Sequence, residues 1–142
     1  MSKKSKTIIV ADKGVILYQG RILLVKRAAA DSAGAGSWEC AGGKIEFGES
    51  LEAALEREIL EETGLSFTTE RILYAVTLLT DPARQVVIIT YLCRAARDEI
   101  QLSEEHTDYR WCTLSELLTL LTPQIITDFQ EHGIFELEGL IR

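Results

Sequence analysis

Three carboxylates, Glu58, Glu61 and Glu62, follow a glycine pair, Gly42-Gly43, and a lone Glu49. From Gly43 the chain runs five residues to Glu49, then seven more, then Arg57-Glu58-Ile59-Leu60-Glu61-Glu62-Thr63-Gly64-Leu65. Spacings of three and four residues set the glutamates on adjacent turns of a helix. Their oxygens can converge there on one or two hard cations. Mg²⁺ suits such a donor set, with Mn²⁺ accepting the same ligands. An ion held this way offsets phosphate charge and activates water for attack at phosphorus. The chemistry implied is hydrolysis of a nucleoside diphosphate derivative.

The element that must position these groups is a helix over Ser50–Thr63. Leu, Ala and Glu dominate it, and all are good helix formers. Ser50 is the expected N-cap and Gly64 the expected stop. At about 100° per residue, Leu51, Leu55 and Ile59 form an apolar stripe roughly 80° wide. Glu58 and Glu62 fall on or beside that stripe, whereas Glu61 lies off it. Carboxylates on a packed face need partners, either a cation or Arg57. Arg57 and Glu49 are read as a supporting ion pair that ties the helix to the loop before it. Gly42 and Gly43 are read as loop, where they allow conformations closed to other residues and let the backbone approach a ligand closely.

The segment resembles the Nudix box, G-x5-E-x7-R-E-U-x-E-E-x-G-U with U a bulky aliphatic, at every specified position. The approach Trp38-Glu39-Cys40-Ala41-Gly42-Gly43-Lys44-Ile45-Glu46 is similar to that of MutT-type members. The resemblance implies an α/β/α sandwich, a mixed sheet between helices, and a Mg²⁺-dependent pyrophosphohydrolase. It implies metal ligands at Gly42, Glu58, Glu61, Glu62 and Glu105, and catalytic roles for Arg57, Glu58 and Glu105. Glu105 lies six residues before Trp111, where many members carry a glutamate that binds metal or takes a proton from water. Glu104 would serve if the register slipped by one. Whether Glu58 or Glu105 is the general base stays open. Arg27, at the end of a strand, matches an arginine that contacts substrate phosphate, and Lys44 is read as a second phosphate contact.

Length and composition fit this reading. At 142 residues the chain is expected to be one domain, with a hydrophobic share of 46% that supports a real core. No apolar run is long enough to span a bilayer, and no secretory pattern follows the lysines at the start, so a cytoplasmic protein is expected. A net charge of −7 argues against a nucleic-acid polymer as partner but not against a small nucleotide. A monomer or homodimer is expected. Cys40, Cys93 and Cys112 show neither zinc nor disulfide spacing and are read as buried or semi-buried thiols.

Along the chain, Thr7–Tyr18 and Arg21–Lys26 read as a hairpin turning at Gln19-Gly20. Residues 28–37 are small and aperiodic and read as a mobile loop. Trp38–Ala41 is a short strand. Residues 71–80 and 85–95 read as paired strands, and 109–112 as a last short one. Helices follow near residues 114–121 and 123–131.

Trp38 and Phe47 are candidates to stack on a base, with packing as the equal alternative for each. Trp111 is assigned to the core, and His106 is read as a solvated loop imidazole, with a proton carrier as the alternative. The chain has no asparagine, so Asp128, Gln124 or backbone amides are the candidates for reading the base. The favoured substrate is a nucleoside triphosphate or modified dNTP, giving NMP and pyrophosphate. The alternatives are an ADP-ribose or other sugar-nucleotide pyrophosphatase and a non-catalytic nucleotide sensor.

Overall fold

A computed structural model describes residues 5–28 and 36–142. The expected mobile loop at 28–37 lies mostly outside the described residues. The chain runs β1 (Thr7–Tyr18), β2 (Arg21–Arg27), β3 (Trp38–Glu39), β4 (Ala41–Lys44), α1 (Leu51–Thr63), β5 (Phe67–Asp81), β6 (Arg84–Ala95), β7 (His106–Cys112), α2 (Leu114–Leu120) and α3 (Pro123–Glu131). A 3₁₀ turn at Ile134–Glu136, not anticipated from the sequence, closes it.

The sheet is mixed, in the order β3-β2-β1-β6-β5, with β4 added to β1 and β7 added to β2. Strands β1 and β6 are parallel over their length, and the other pairings between these strands are antiparallel. The β1–β2 hairpin forms as expected but holds only two residue pairs, Leu17↔Ile22 and Tyr18↔Arg21. Beyond them β1 turns to β4, pairing Asp12 with Gly43 and Lys13 with Gly42. The glycine pair is therefore strand, not loop.

Alternation along β1 and β2 sends side chains to two cores, as a period of two requires. Ile16, Leu23 and Val25 meet Leu55 and Ile59 of α1, with Tyr91 and Cys93. Val15, Leu17, Ile22 and Leu24 meet Leu117, Leu121, Phe129 and Ile134 on the other face. The sheet thus lies between α1 and the α2–α3 pair, the sandwich read from the sequence. Strand β7 starts at His106, three residues earlier than the sequence reading. A register shift at Lys26/Arg27 brings His106 opposite Arg27 and takes its side chain inside.

Candidate functional site

Helix α1 is capped at both ends by the residues its sequence proposes. The Ser50 hydroxyl accepts from the Ala53 amide at 3.2 Å, and the Gly64 amide donates to the Leu60 carbonyl at 2.8 Å. Leu55 and Ile59 are fully buried, which fixes the rotation of the helix about its axis. That rotation sets three different exposures for the glutamates. Glu62 is 4% exposed, the Glu58 side chain 16% and the Glu61 side chain 61%.

The glycine pair is required by close approach on both sides. A Cβ at Gly42, whose φ is +149°, would stand 2.0 Å from the Asp12 carbonyl oxygen. At Gly43 it would stand 2.5 Å from Cδ of Glu58. The first contact lets β4 lie against β1, and the second lets the Glu58 carboxylate rest over the strand.

Arg57 gathers the carboxylates around it. Its Nε and Nη2 donate to the two oxygens of Glu49 at 2.7 and 2.8 Å, a paired geometry. Nη1 donates to Glu58 at 2.9 Å and Glu61 at 3.4 Å, and Nη2 also reaches the Lys44 carbonyl at 3.2 Å. The guanidinium hydrogen bonds hold Glu49 down at about 2, and burial resists this only weakly. The β4–α1 loop is further closed by the Glu46 amide donating to Glu49 at 2.8 Å.

A second group forms under the last turn of α1. Glu62 accepts from the Gly42 amide at 3.0 Å. Burial pushes its carboxyl up to about 7, against the opposing pull of Lys13 and that hydrogen bond. Ligand atoms of Glu62, Glu105 and His106 lie within 4.8 Å of one another. The loop carrying Glu105 is fastened to the helix end, with the Gln101 amide on the Thr63 carbonyl at 2.8 Å and the Ser103 amide on Glu62 at 3.1 Å. The Ala28 amide holds the Glu105 carbonyl at 3.0 Å.

Several residues at this site were not singled out in the sequence. Glu39 receives Nε2 of His106 at 3.0 Å, Lys13 at 3.4 Å and Arg27 at 3.4 Å. Burial raises the Glu39 carboxyl, but Lys13, the His106 hydrogen bond and Arg27 outweigh it and hold the group near 2. Asp12 is fully buried on β1, and neither carboxylate oxygen has a hydrogen-bond partner among the described residues. Its carboxyl is pushed up to about 6 by burial and then by Glu49. His106, itself read from the sequence as a solvated loop imidazole, reverses that expectation: its side chain is 3% exposed. The signal that could have found it is the strand start three residues upstream of Tyr109.

The remaining candidates separate by location. Arg27 sits at the end of β2 beside Glu39, and Lys44 is exposed at the end of β4. Phe47 is fully exposed in the loop between β4 and α1. Trp38 packs against the α2–α3 core with the Arg110 guanidinium 5.9 Å from its ring. Trp111 packs on the α1 side, half-buried, its Nε1–H donating to the Asp98 carbonyl at 3.0 Å. All three cysteines are buried free thiols, and burial pushes Cys40 up to about 12, so the thiol beside the glycine pair is unreactive.

On the opposite face, a cleft of about 440 Å³ is lined by Ala75–Leu78 of β5, Val87 of β6 and Gln124 and Asp128 of α3. The Gln124 amide donates to Asp128 at 3.2 Å, and Asp128 is itself buried. Val87 pairs with Val10 of β1, and Lys13 of β1 pairs with Gly42. Three residues of strand, about 10 Å, separate the two levels.

Comparison with known proteins agrees with this geometry. The model of the NUDIX domain matches residues 10–130. The nucleoside triphosphatase NudI of Escherichia coli is 31% identical over 114 residues, covering 73% of this chain and 81% of that protein. The solved MutT protein from Methanosarcina mazei Go1 superposes with a TM-score of 0.82 at 26% identity, covering 96% of this chain and all of that one. A MutT NUDIX hydrolase from Burkholderia pseudomallei is 32% identical with a TM-score of 0.74, covering 88% and 98%.

Proposed function

Because the chain belongs to the Nudix family and is a nucleotide pyrophosphohydrolase, we propose the finer reading that it cleaves a (deoxy)nucleoside triphosphate to NMP and pyrophosphate with Mg²⁺. Nudix hydrolases generally use a divalent metal, and the donor set here is of the right kind. The observation that carries the reading is the approach of Glu62 on α1 to Glu105 on a loop fastened to the same helix. Glu62 supports it, since a buried carboxyl raised toward neutrality gains most from an adjacent cation.

In this reading Glu58, Glu61, Glu62, Glu105 and the Gly42 backbone hold the ion. Bound there, Mg²⁺ offsets phosphate charge and lowers the pKa of water at the site. Arg57 fixes the carboxylates of Glu58 and Glu61 in position and links them to Glu49. Glu105 or Glu58 accepts the proton of the attacking water, Glu105 with the freer access because it is exposed. Arg27 and Lys44 bind the phosphates. The base enters the β5–α3 cleft, where Asp128 and Gln124 present an acceptor and an amide. The name of the NudI relative, a nucleoside triphosphatase, points to the same substrate class.

The test is a panel of NTPs, modified dNTPs, ADP-ribose and dinucleoside polyphosphates, with products identified by mass and EDTA as control. A triphosphate should be preferred by more than tenfold in kcat/KM, about 1.4 kcal/mol, with pyrophosphate released. Preference for ADP-ribose, or full activity in EDTA, overturns the reading. Asp128→Asn should change the base preference and leave the cleaved bond the same.

A further inference from the structure

His106 has two ring nitrogens in different circumstances. Nε2 lies 3.0 Å from Glu39, a carboxylate clasped by Lys13 and Arg27. Glu39 therefore acts as an acceptor, and Nε2 carries the proton donated to it. The lone pair then belongs to Nδ1, which is buried with no hydrogen-bond partner among the described residues. A buried lone pair without a donor or cation is costly. A ring nitrogen of this same residue falls within 4.8 Å of oxygens of Glu62 and Glu105. Ligands about 2.1 Å from an octahedral ion stand about 3 Å apart when adjacent and about 4.2 Å when opposite, so the three groups would draw together by no more than about 2 Å to share one.

The second nitrogen of a metal-bound histidine almost always donates to a carboxylate or carbonyl, which fixes the tautomer and the ring plane. Glu39 stands where that partner belongs. We propose that Nδ1 of His106 is a metal ligand, completing with Glu62 and Glu105 a mixed nitrogen–oxygen centre oriented by Glu39. The proposal rests on the metal reading given above and adds a nitrogen to an otherwise all-oxygen set. Imidazole suits Mn²⁺ and later divalent ions better than Mg²⁺. The site should therefore bind Mn²⁺ more tightly than Mg²⁺ by a wider margin than carboxylates alone would give.

The decisive measurement is electron spin-echo spectroscopy of Mn²⁺ bound to the tag-free full chain, with and without a non-hydrolysable nucleoside triphosphate. The chain holds two histidines, and His132 lies on the α3 face, stacked on Tyr74. Directly coordinated imidazole ¹⁴N modulation is expected, altered by ¹⁵N-histidine labelling, lost in His106→Asn and kept in His132→Gln. The labelling arm needs no variant, so a folding defect in His106→Asn leaves the answer intact. Mn²⁺ bound without imidazole modulation in both states overturns the proposal while the carboxylate metal site stands. Failure of the wild-type chain to bind Mn²⁺ overturns both.

Discussion

Replacing Glu62 by glutamine should stabilise the metal-free protein and disable the enzyme, and the pH dependence of that gain is calculable. Glu62 is 4% exposed, and burial lifts its carboxyl from 4.5 in a free chain to about 7. As pH rises, the unfolded chain loses this proton first. The stabilisation linked to the protonated form is complete below about 4.5 and declines until the folded group ionises near 7. A gap of about 2.5 units at ~1.36 kcal/mol each gives about 3 kcal/mol. Glutamine does not titrate, and it keeps an oxygen for the Gly42 amide. Any fixed cost of burying the extra N–H is the same at every pH and cancels from the trend. Urea unfolding in EDTA at intervals from pH 5 to 8 should show the variant gaining on the wild type by about 2.5 kcal/mol, the rest of the difference being already present at pH 5. Mg²⁺ at about 1,000 times Kd should reverse the order, since it adds about 4.1 kcal/mol to the form that binds it. A stability difference that is flat, or shrinks with pH, refutes the argument from burial.

Three other outcomes follow from single contacts. Gly43→Ala places a Cβ 2.5 Å from Cδ of Glu58, so kcat should fall tenfold or more while circular dichroism still reports the fold. Wild-type kcat in that variant would show that Glu58 has room to move. Arg57→Lys replaces a fork that grips both oxygens of Glu49 with a point charge. Its kcat/KM should drop by roughly tenfold or more, about 1.4 kcal/mol, and unchanged kinetics would remove Arg57 from the positioning role. Asp12→Asn relieves a buried carboxyl whose folded pKa is about 6 against 3.8 when free. Above pH 6 the variant should be more stable by up to about 3 kcal/mol, and a lower melting temperature at pH 8 would contradict this.

The sequence specified α1 nearly to the residue because its signals are local: a serine cap, an apolar stripe and a terminal glycine. Carboxylate placement followed from the same angles, so the inward turn of Glu62 and the outward turn of Glu61 were legible. The Glu49–Arg57 pair was legible too, since the two lie close in the chain. What escaped was set by strand register. Glu39, Lys13 and His106 come from three strands, and only the pairing of β2 with both β3 and β7 brings Glu39 and His106 to one face. A two-residue strand and a bulge carry no period to read. The glycine pair looked like loop because glycine disfavours strands, yet the contact at Gly42 tolerates nothing larger.

The β5–β6 hairpin leaves the helix after Leu65, and the chain comes back to it at Gln101, whose amide binds the Thr63 carbonyl. Departure and return therefore share one anchor, and the long hairpin is a detour from a closed ring of acidic groups. Its far strands line the β5–α3 cleft, and neither contributes a carboxylate to the acidic site. The far end of the hairpin, around the turn between Asp81 and Arg84, adds nothing to the carboxylates, whereas β6 opposite Asp12 and Lys13 is tied to the acidic site through its pairing with β1.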